Sequence, residues 1–311
     1  MNKHSLLYII KLIILVVSVV YTLDKVVYFG LETLNKNVYT GASGGKVNQF
    51  LREKDNLDFI VLGSSRANHH VDNIKISKNS FNMGLDGTKI AFSATLLKTL
   101  PTNKAQIILL HISPKHSLDS NYKGDDIEGL SKLYHQNNII KEEYNALGKN
   151  KIMNQIFWSL NFNGTVMGLF KNYFFPNYDI NTYSGYDPLY ITDEQKRIFK
   201  TVLENKINEP CLNEPKLNSI YERYLDEISL FCKENNKKLI LFTAPIYQDD
   251  CKNDDDILGK ILKQKNIEYW NMTSFFNENN SLNYWRDNSH LSNTGAEIFT
   301  DSLKLKLNQL K

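Results

Sequence analysis

The chain has 311 residues, of which 42% are hydrophobic and 23% are charged, and its formal net charge is +3. This length and apolar content can form one sizeable domain with an insertion, or two modest ones. The net charge is small and the sequence contains no long basic tract, which argues against nucleic acid as the main partner.

The first predicted element is a membrane anchor over residues 1–27. The chain is apolar from Ser5 to Leu23 except for Lys11. A helix of roughly 19 residues at about 1.5 Å rise reaches about 28 Å, close to the thickness of one bilayer core. The run is not followed by a small-residue cleavage site, which favours a retained anchor over a signal peptide. The alternative is a buried first helix of a soluble domain.

The orientation of this anchor is weakly determined by its flanking charges. Lys3 and Lys11 on one side compete with Lys25 and Lys36 on the other. We expect a single-pass protein of the cell membrane, with the N-terminus inside and an extracytoplasmic catalytic domain. Residues 28–56 are predicted to form a linker and a leading helix, and the domain itself is predicted to span residues 57–311.

Within that domain, apolar runs of strand character alternate with helical patterns. The predicted strands are Phe59 to Leu62, Ser80 to Met83, Gln106 to Ile112, Lys238 to Thr243, and Ile267 to Asn271. The predicted helices between them are Thr88 to Leu100, Lys216 to Asn235, and Asp255 to Gln264. This alternation predicts an α/β domain with a mainly parallel sheet, whose functional loops follow the carboxyl ends of the strands.

The last predicted helix is marked by a start signal and an apolar stripe. Thr294-Gly-Ala-Glu297 has the spacing of a capping box. The stripe recurs at helical intervals along Ala296, Phe299, Leu303, Leu307 and Leu310. Such a packed helix would hold the turn before it in place.

A segment of different character, at about residues 117–213, interrupts the alternation and is rich in aromatic residues. Three interpretations are open. The segment is a cap over the active site, a contact with the membrane surface or a membrane partner, or an ordinary helical subdomain with an aromatic core.

Cysteine and histidine usage gives no indication of a metal site. The three cysteines allow at most one disulfide, and Cys232 lies in a helical apolar pattern that predicts core packing. Several histidines lie near predicted strand ends, but they lack His-x-x-x-His spacing or a matching acidic cluster. We therefore expect neither a metal nor a cofactor.

Two short segments far apart carry the chemistry. Gly63-Ser64-Ser65 follows the first predicted strand, and Asp287 precedes His290 by three residues near the C-terminus. One turn of chain can direct Asp287 at one imidazole nitrogen while the other nitrogen faces Ser65. Each segment alone is weak evidence for a catalytic site, but their order and positions together predict a Ser-His-Asp site.

This arrangement resembles the SGNH (GDSL-like) hydrolase superfamily over residues 57–311. The resemblance implies a three-layer, flavodoxin-like fold with Ser65 as the nucleophile. The second block of the family is matched by Asn82-Met83-Gly84, which implies that the Ser65 and Gly84 amides bind the oxyanion. The third block, Gly-x-Asn-Asp, is not matched, and Ser113 is a candidate substitute donor.

Two further residues are candidates for substrate binding. Arg66, directly after Ser65, can bind an anionic polymer or a carboxylate, although an ordinary salt bridge is the commoner role. Asn82, in the second block, is the other candidate.

The resulting hypothesis is acyl-ester chemistry, by an esterase or an O-acyltransferase. In lacking the usual third block, the chain resembles membrane-anchored relatives that act on the cell envelope, such as the DltD-like group. This resemblance implies an acylated cell-envelope polysaccharide or teichoic-acid-like polymer as substrate. A membrane-bound O-acyltransferase is a further candidate partner. The alternatives are a non-catalytic SGNH-like module that binds such a polymer or assists an acyltransferase, and an anchored structural protein whose serine and histidine match by coincidence.

Overall fold

The structure is a computed structural model that describes residues 3–205, 211–212 and 215–310. Residue 213, where the predicted insertion ends, lies outside the described residues. The chain divides into two units. The anchor unit comprises Met1–Asn48 and Gly129–Tyr178, and the sheet unit comprises Gln49–Glu128 and Asp179–Lys311.

The described α-helices, in chain order, are α1 (Lys3–Lys36), α2 (Lys46–Glu53), α3 (Ser65–His70), α4 (Asn73–Ile76), α5 (Ile90–Lys98), α6 (Pro114–Ser117), α7 (Asn138–Ala146), α8 (Ile152–Ile156), α9 (Val166–Phe174), α10 (Asp193–Glu204), α11 (Ser219–Glu234), α12 (Lys252–Gln264) and α13 (Asn293–Asn308). Tighter 3₁₀ segments cover Asp125–Leu133, Trp158–Phe162 and Leu282–Tyr284. The strands are β1 (Phe59–Leu62), β2 (Ser80–Asn82), β3 (Gln106–His111), β4 (Lys237–Thr243) and β5 (Glu268–Asn271).

The strands form one parallel sheet in the order β2-β1-β3-β4-β5. This is the strand order of flavodoxin-like doubly wound folds, and it confirms the predicted α/β class. Leu62, the last residue of β1, pairs with Leu110 of β3. The residues that follow β1 therefore lie beside His111, the last residue of β3.

The centre of the sheet is buried because β1 and the later parts of β3 and β4 are mainly apolar. All four residues of β1 are buried, and Ile240, Leu241 and Phe242 of β4 are fully buried. Runs of this kind are typical of parallel strands covered on both faces. The helix α13 packs against α3 and α4, and α11 packs against α5 and β4. The elements that carry the two predicted site segments are thus in contact with each other.

The start of α13 differs from the predicted capping box. Ser292, not Thr294, is the N-cap, and its hydroxyl accepts a hydrogen bond from the Gly295 amide at 3.2 Å. The third helical position is then a glycine, which has no side chain to complete the reciprocal bond. The stripe is otherwise as expected, because Ala296, Phe299, Leu303 and Leu307 are buried. Leu310 lies beyond the helix and is 38% exposed.

In the anchor unit, α1 is the described helix that is long and apolar enough to cross a membrane, since a stretch of 18 of its residues has a mean hydropathy of 2.5. It continues to Lys36, beyond the predicted limit of the anchor at residue 27. Every residue from His4 to Leu23 is exposed, and burial begins at Asp24. Tyr28 packs in a small core with Val38, Phe162 and Leu169.

The cysteines follow the sequence-based expectation of at most one disulfide. Cys211 and Cys251 form a disulfide, and Cys232 is a buried free thiol in α11. Cys232 packs in the core, as its helical pattern predicted.

Candidate active site

The turn between β1 and α3 presents Ser65 at the start of a helix. Gly63 has φ +132°, and a Cβ at this position would lie 2.7 Å from His111 Cβ, so both conformation and space require glycine. Ser64 is the N-cap of α3, and its hydroxyl accepts a hydrogen bond from the Arg66 amide at 3.3 Å. Ser65 is therefore the first helical residue, and it is half-buried at the carboxyl edge of the sheet.

The three residues of the predicted triad lie in one line of hydrogen-bond contacts. Ser65 Oγ is 2.8 Å from His290 Nε2. His290 Nδ1 is 2.9 Å from Asp287 Oδ2 and 3.0 Å from Asp287 Oδ1. The two segments are separated by 225 positions in sequence. These distances are the ones that a nucleophile, a base and a residue orienting the base would require.

The Asp287–His290 turn is fixed by its own backbone. Asp287 Oδ1 accepts hydrogen bonds from the Ser289 amide at 2.8 Å and the His290 amide at 2.9 Å. An antiparallel bridge between Trp285 and Leu291 closes the turn just before α13. Burial by itself would raise the pKa of Asp287, but the hydrogen bonds from His290 and Ser289 outweigh it and lower that pKa to about 2. The carboxylate is therefore ionised at neutral pH.

A second histidine supports this turn and had no signal in the sequence. His70 Nε2 accepts a hydrogen bond from the Leu291 amide at 3.0 Å, and the His70 ring lies edge-on to the His290 ring. Burial lowers the pKa of His70 well below its ordinary value, with positive neighbours adding to the effect. The ring is therefore a neutral acceptor, which is the form this hydrogen bond requires.

His69 also packs against the His290 ring. Its Nδ1 is 2.6 Å from the Asp187 carbonyl oxygen and its Nε2 is 3.2 Å from Asp86 Oδ2. Burial by itself would lower the pKa of His69, but the hydrogen bonds to Asp86 and to the Asp187 carbonyl outweigh it and raise that pKa. The His69 and His290 ring centroids are 5.9 Å apart. His69 thus places a second imidazole ring beside His290.

Gly84, which we expected to help bind the oxyanion, is in contact with Asn82 and α3. The Gly84 amide donates to Asn82 Oδ1 at 2.8 Å, so it is directed at the scaffold rather than at Ser65. An added Cβ on Gly84 would collide with the backbone nitrogen of Asn68, so glycine is needed here for close packing against α3. The expected oxyanion donor at Gly84 is therefore not free in this arrangement.

Asn82 makes its hydrogen bonds to the scaffold around Ser65. It is fully buried, and its Nδ2 donates to the Ala67 carbonyl at 2.7 Å and the Val71 carbonyl at 2.8 Å. Its Oδ1 accepts the Gly84 amide. All three bonds tie β2 to the helix that carries Ser65. The substrate-binding role of Asn82 stays a prediction, and this arrangement gives it no support because the side chain is buried and both its polar atoms make hydrogen bonds.

We expect Asn82→Asp to destabilise the protein. The carboxylate would face two carbonyl oxygens without donors, and a buried polar group left unpaired costs about 3 kcal/mol. Urea unfolding of the full chain in detergent is expected to show this loss, and Asn163→Asp, at an exposed position, is the matched control. Equal midpoints for the two variants would contradict the role assigned to Asn82.

The segment at the position of the third block covers the end of β3 and the start of α6, and the donor role of Ser113 stays a prediction. Ser113 is buried at the N-terminus of α6, where its carbonyl accepts the Ser117 amide at 2.9 Å and the Ser117 hydroxyl at 3.0 Å. His111, two residues earlier, is the residue that contacts the nucleophile turn, with its Nδ1 3.1 Å from Ser64 Oγ. Burial lowers the pKa of His111 well below its ordinary value. Its contact stabilises the turn, and no motif in the sequence marks it.

Arg66 lies in a strongly acidic neighbourhood. Its side chain is half-buried, and Nη1 is enclosed without a hydrogen-bond partner. Burial lowers the pKa of Arg66, whereas the charges of Asp249, Asp255 and Asp287 raise it. The carboxylates offset only part of the effect of burial, and the anion-binding role of Arg66 stays a prediction.

Asp255, one of these carboxylates, is expected to make stability depend on pH. It is buried and accepts a hydrogen bond from Thr273 Oγ1 at 2.8 Å. Burial, together with its hydrogen bond to Asp249, raises the pKa of Asp255 to about 7. A raised carboxyl pKa contributes stability that is complete below the unfolded-state pKa of about 3.9 and is lost as the pH rises through about 7.

We therefore expect Asp255→Asn to raise the melting temperature relative to the wild type at pH 8, and to do so much less at pH 4. Thermal unfolding followed by circular dichroism at several pH values measures this difference. Asp256→Asn, at the exposed neighbouring position, is the control and should show no such trend. A difference between Asp255→Asn and wild type that does not change with pH would contradict the assignment.

No group of three or more metal-binding side chains is placed to hold an ion among residues 3–205, 211–212 and 215–310. The side chains gathered around Ser65 can carry out proton transfer and nucleophilic attack without one.

Comparison with known proteins identifies no family for this chain. No family model and no curated protein matches it. A candidate acylhydrolase from Bacteroides fragilis matches with a TM-score of 0.40 and 13% identity, covering 87% of this chain and 98% of that chain. A structure described as a candidate platelet activating factor from Streptococcus pneumoniae matches with a TM-score of 0.37 and 11% identity, covering 86% and 100%. Likenesses of this size carry no conclusion about activity.

Proposed function

We propose that this protein is a serine-dependent acyl-ester enzyme of SGNH type, acting as an esterase or O-acyltransferase through acyl-Ser65. The observation that carries the proposal is the chain of contacts from Ser65 Oγ to His290 Nε2 at 2.8 Å and from His290 Nδ1 to Asp287 Oδ2 at 2.9 Å. Each atom is within hydrogen-bond reach of the next, as general-base activation of a hydroxyl requires.

In the first half-reaction, His290 Nε2 takes the Ser65 proton while Oγ attacks the ester carbonyl carbon. The resulting tetrahedral intermediate collapses, the carbon–oxygen bond of the leaving alcohol breaks, and His290 returns the proton to that alcohol. Asp287 holds Nδ1–H towards itself and stabilises the imidazolium that forms in between. The product is an ester of Ser65.

In the second half-reaction, the acceptor is water or a second hydroxyl. His290 removes its proton, the acceptor oxygen attacks the acyl carbon, and Ser65 leaves with the proton from His290. Water gives a carboxylic acid, which is the esterase outcome, and a sugar or polyol hydroxyl gives a new ester, which is the transferase outcome. The residues of the triad perform the same steps in both cases.

The amide of Ser65 is our proposed oxyanion donor. As the first residue of α3, Ser65 has no carbonyl one turn earlier in its helix to accept its amide hydrogen. Backbone donors of this kind stabilise the negative charge that develops on the carbonyl oxygen. The helix N-terminus adds a partial positive charge at the same place.

We further propose that the substrate is an acylated cell-envelope polysaccharide or teichoic-acid-like polymer. Support comes from α1, which is long and apolar enough to anchor the sheet unit to a membrane. With the N-terminus inside, the active site would face the envelope, as the resemblance to the DltD-like group implies. A membrane-bound O-acyltransferase is the partner we propose for the transferase outcome.

A non-catalytic binding or accessory module is the second candidate function. It is favoured by the Gly84 amide, which is bound to Asn82 Oδ1, and by the unmatched third block. Loss of one oxyanion donor costs about 100-fold to 1000-fold in rate. A module of this kind would keep the fold and would bind the polymer, but it would not catalyse ester hydrolysis or acyl transfer.

Fluorophosphonate labelling of the full-length protein in detergent separates the two candidates. An active enzyme is expected to be modified at Ser65 and not at Ser64, as located by peptide mapping. Absence of labelling in a protein that is folded by circular dichroism would overturn the enzyme proposal and favour the binding module. Because Ser64 is adjacent and also half-buried, it serves as an internal control for general serine reactivity.

A further inference from the structure

We propose that the apolar side of α8, formed by Ile152, Met153 and Ile156, inserts into the interfacial zone of the bilayer that α1 spans. This surface is called the α8 face below. The inference rests on the part of the proposed function in which α1 is the membrane anchor. It goes further by fixing how the anchor unit lies on the lipid surface.

The α8 face is apolar on the side where a soluble protein is usually polar. The side chains of Ile152, Met153 and Ile156 are 72%, 53% and 43% exposed, and no residue of α8 is buried. The polar Asn154 instead turns inward, where its Nδ2 donates to Asn161 Oδ1 at 3.2 Å. A helix that keeps an amide inside and exposes three large apolar side chains is typical of an interface with an apolar medium.

The α8 face is continuous with the point at which α1 stops being fully exposed. The Asp24 carboxylate accepts hydrogen bonds from the Trp158 amide at 2.9 Å and the Ser159 amide at 3.0 Å. Lys25 Nζ donates to the Ile156 carbonyl at 2.6 Å. These contacts attach the end of α8 to α1 immediately after its exposed apolar run from His4 to Leu23.

The side chains at this junction are those that favour the boundary between lipid and water. Lys25 Nζ lies 4.3 Å from the Trp158 ring and 4.5 Å from the Tyr21 ring. Tryptophan and tyrosine concentrate at membrane interfaces, and lysine extends its charge towards the headgroups. Trp158 is held rigidly, since it stacks on His135 and packs edge-on to Tyr28.

The bilayer is the occupant that these contacts favour. A lipid surface is already present at the level of Asp24 if α1 spans it, and α8 is joined to α1 at that residue through both Trp158 and Ile156. Insertion of the α8 face removes apolar area from water without breaking any of these hydrogen bonds. A separate protein partner would have to bind at the same depth, so it is an outcome of the test below.

Depth-dependent quenching in nanodiscs tests the inference on the full chain. A tryptophan is added by Met153→Trp on the α8 face, by Ile14→Trp in the middle of the exposed run of α1, or by Glu142→Trp on the exposed polar side of α7. The signal of the three native tryptophans is subtracted using the wild type. The lipids carry bromine either near the headgroup end or near the terminus of the acyl chain.

We expect Met153→Trp to be quenched most by bromine near the headgroup end, Ile14→Trp most by bromine near the chain terminus, and Glu142→Trp by neither. If Ile14→Trp is quenched but Met153→Trp behaves like Glu142→Trp, the α8 inference is overturned while the anchor stands. The same outcome is expected if the α8 face binds a protein partner instead of lipid, because the added tryptophan would then stay outside the bilayer and away from the bromine. If Ile14→Trp is unquenched, the anchor itself fails and the inference fails with it. Ile152→Trp, at the most exposed position of the face, repeats the test should Met153→Trp fold poorly.

Discussion

Replacement of Ser65 with alanine is expected to reduce ester hydrolysis by about a millionfold in kcat, as removal of the nucleophile does in serine hydrolases. Ser65 Oγ is the atom that His290 Nε2 can deprotonate, at 2.8 Å. Without this oxygen no acyl-enzyme forms, and the residual rate comes from substrate binding and backbone donors alone. Hydrolysis of a small acetyl ester by the full-length protein measures the loss.

Ser64→Ala is the matched control for this substitution. Ser64 is the neighbouring residue of the same type, and its hydroxyl caps α3 and contacts His111 Nδ1 at 3.1 Å. Loss of an N-cap costs about 1 kcal/mol of stability, so this variant should be somewhat less stable but should still turn over ester. The opposite pattern, with Ser64→Ala inactive and Ser65→Ala active, would assign the nucleophile to Ser64 and refute the mechanism.

The parts of this molecule that sequence predicts well are those with local causes. The runs that form β1, β3 and β4 are apolar and β-branched, so their strand character needs no knowledge of their neighbours. The Asp287–His290 contact is also local, because three residues of a tight turn bring the carboxylate to the imidazole. The pairing of that turn with Ser65 followed from the order of the segments and the resemblance to a family.

The parts that sequence misses depend on contacts between distant segments. His70 supports the His290 turn across 221 positions, and His111 reaches Ser64 across 47. A histidine in the sequence looks the same whether its partner is water, a metal or a backbone amide. The contacts of Asn82 could not be predicted for the same reason, since only the fold shows that α3 and its C-cap supply the two carbonyls to which its amide donates.

The start of α13 was also predicted incorrectly from the sequence, by two residues. Both Ser292 and Thr294 are good N-cap residues, and the sequence alone favoured Thr294 because of Glu297 three positions later. The chain enters α13 two residues earlier because Ser292 Oγ also donates to the Asn283 carbonyl at 2.6 Å. A tertiary hydrogen bond therefore decides between two local signals of similar strength.

Replacement of Asp287 with asparagine is expected to lower kcat by about ten-thousandfold while leaving the fold intact. The reason lies in how the two carboxylate oxygens are used. Oδ1 accepts the Ser289 amide at 2.8 Å and the His290 amide at 2.9 Å, and it also lies 3.0 Å from His290 Nδ1, whereas Oδ2 contacts only Nδ1 among these groups, at 2.9 Å. In the asparagine variant, we expect the side-chain carbonyl oxygen to keep accepting the hydrogen bonds from the two backbone amides. The NH₂ group then faces His290 Nδ1.

An NH₂ group at that position can only donate, and the oxygen already accepts two backbone hydrogen bonds, so we expect His290 Nδ1 to become the acceptor and Nε2 to carry the hydrogen. In this tautomer Nε2 cannot accept the Ser65 proton, and the nucleophile is not activated. Ester hydrolysis, with circular dichroism as the check on folding, measures the effect. Ser289→Ala is the control, because it removes a hydroxyl 3.3 Å from Nδ1 but leaves the carboxylate and the tautomer unchanged, and its activity should stay within about tenfold of wild type. Asp287→Asn activity as high as that of Ser289→Ala would show that Asp287 does not set the tautomer. The base would then need another orienting group, and the triad would lose its third member.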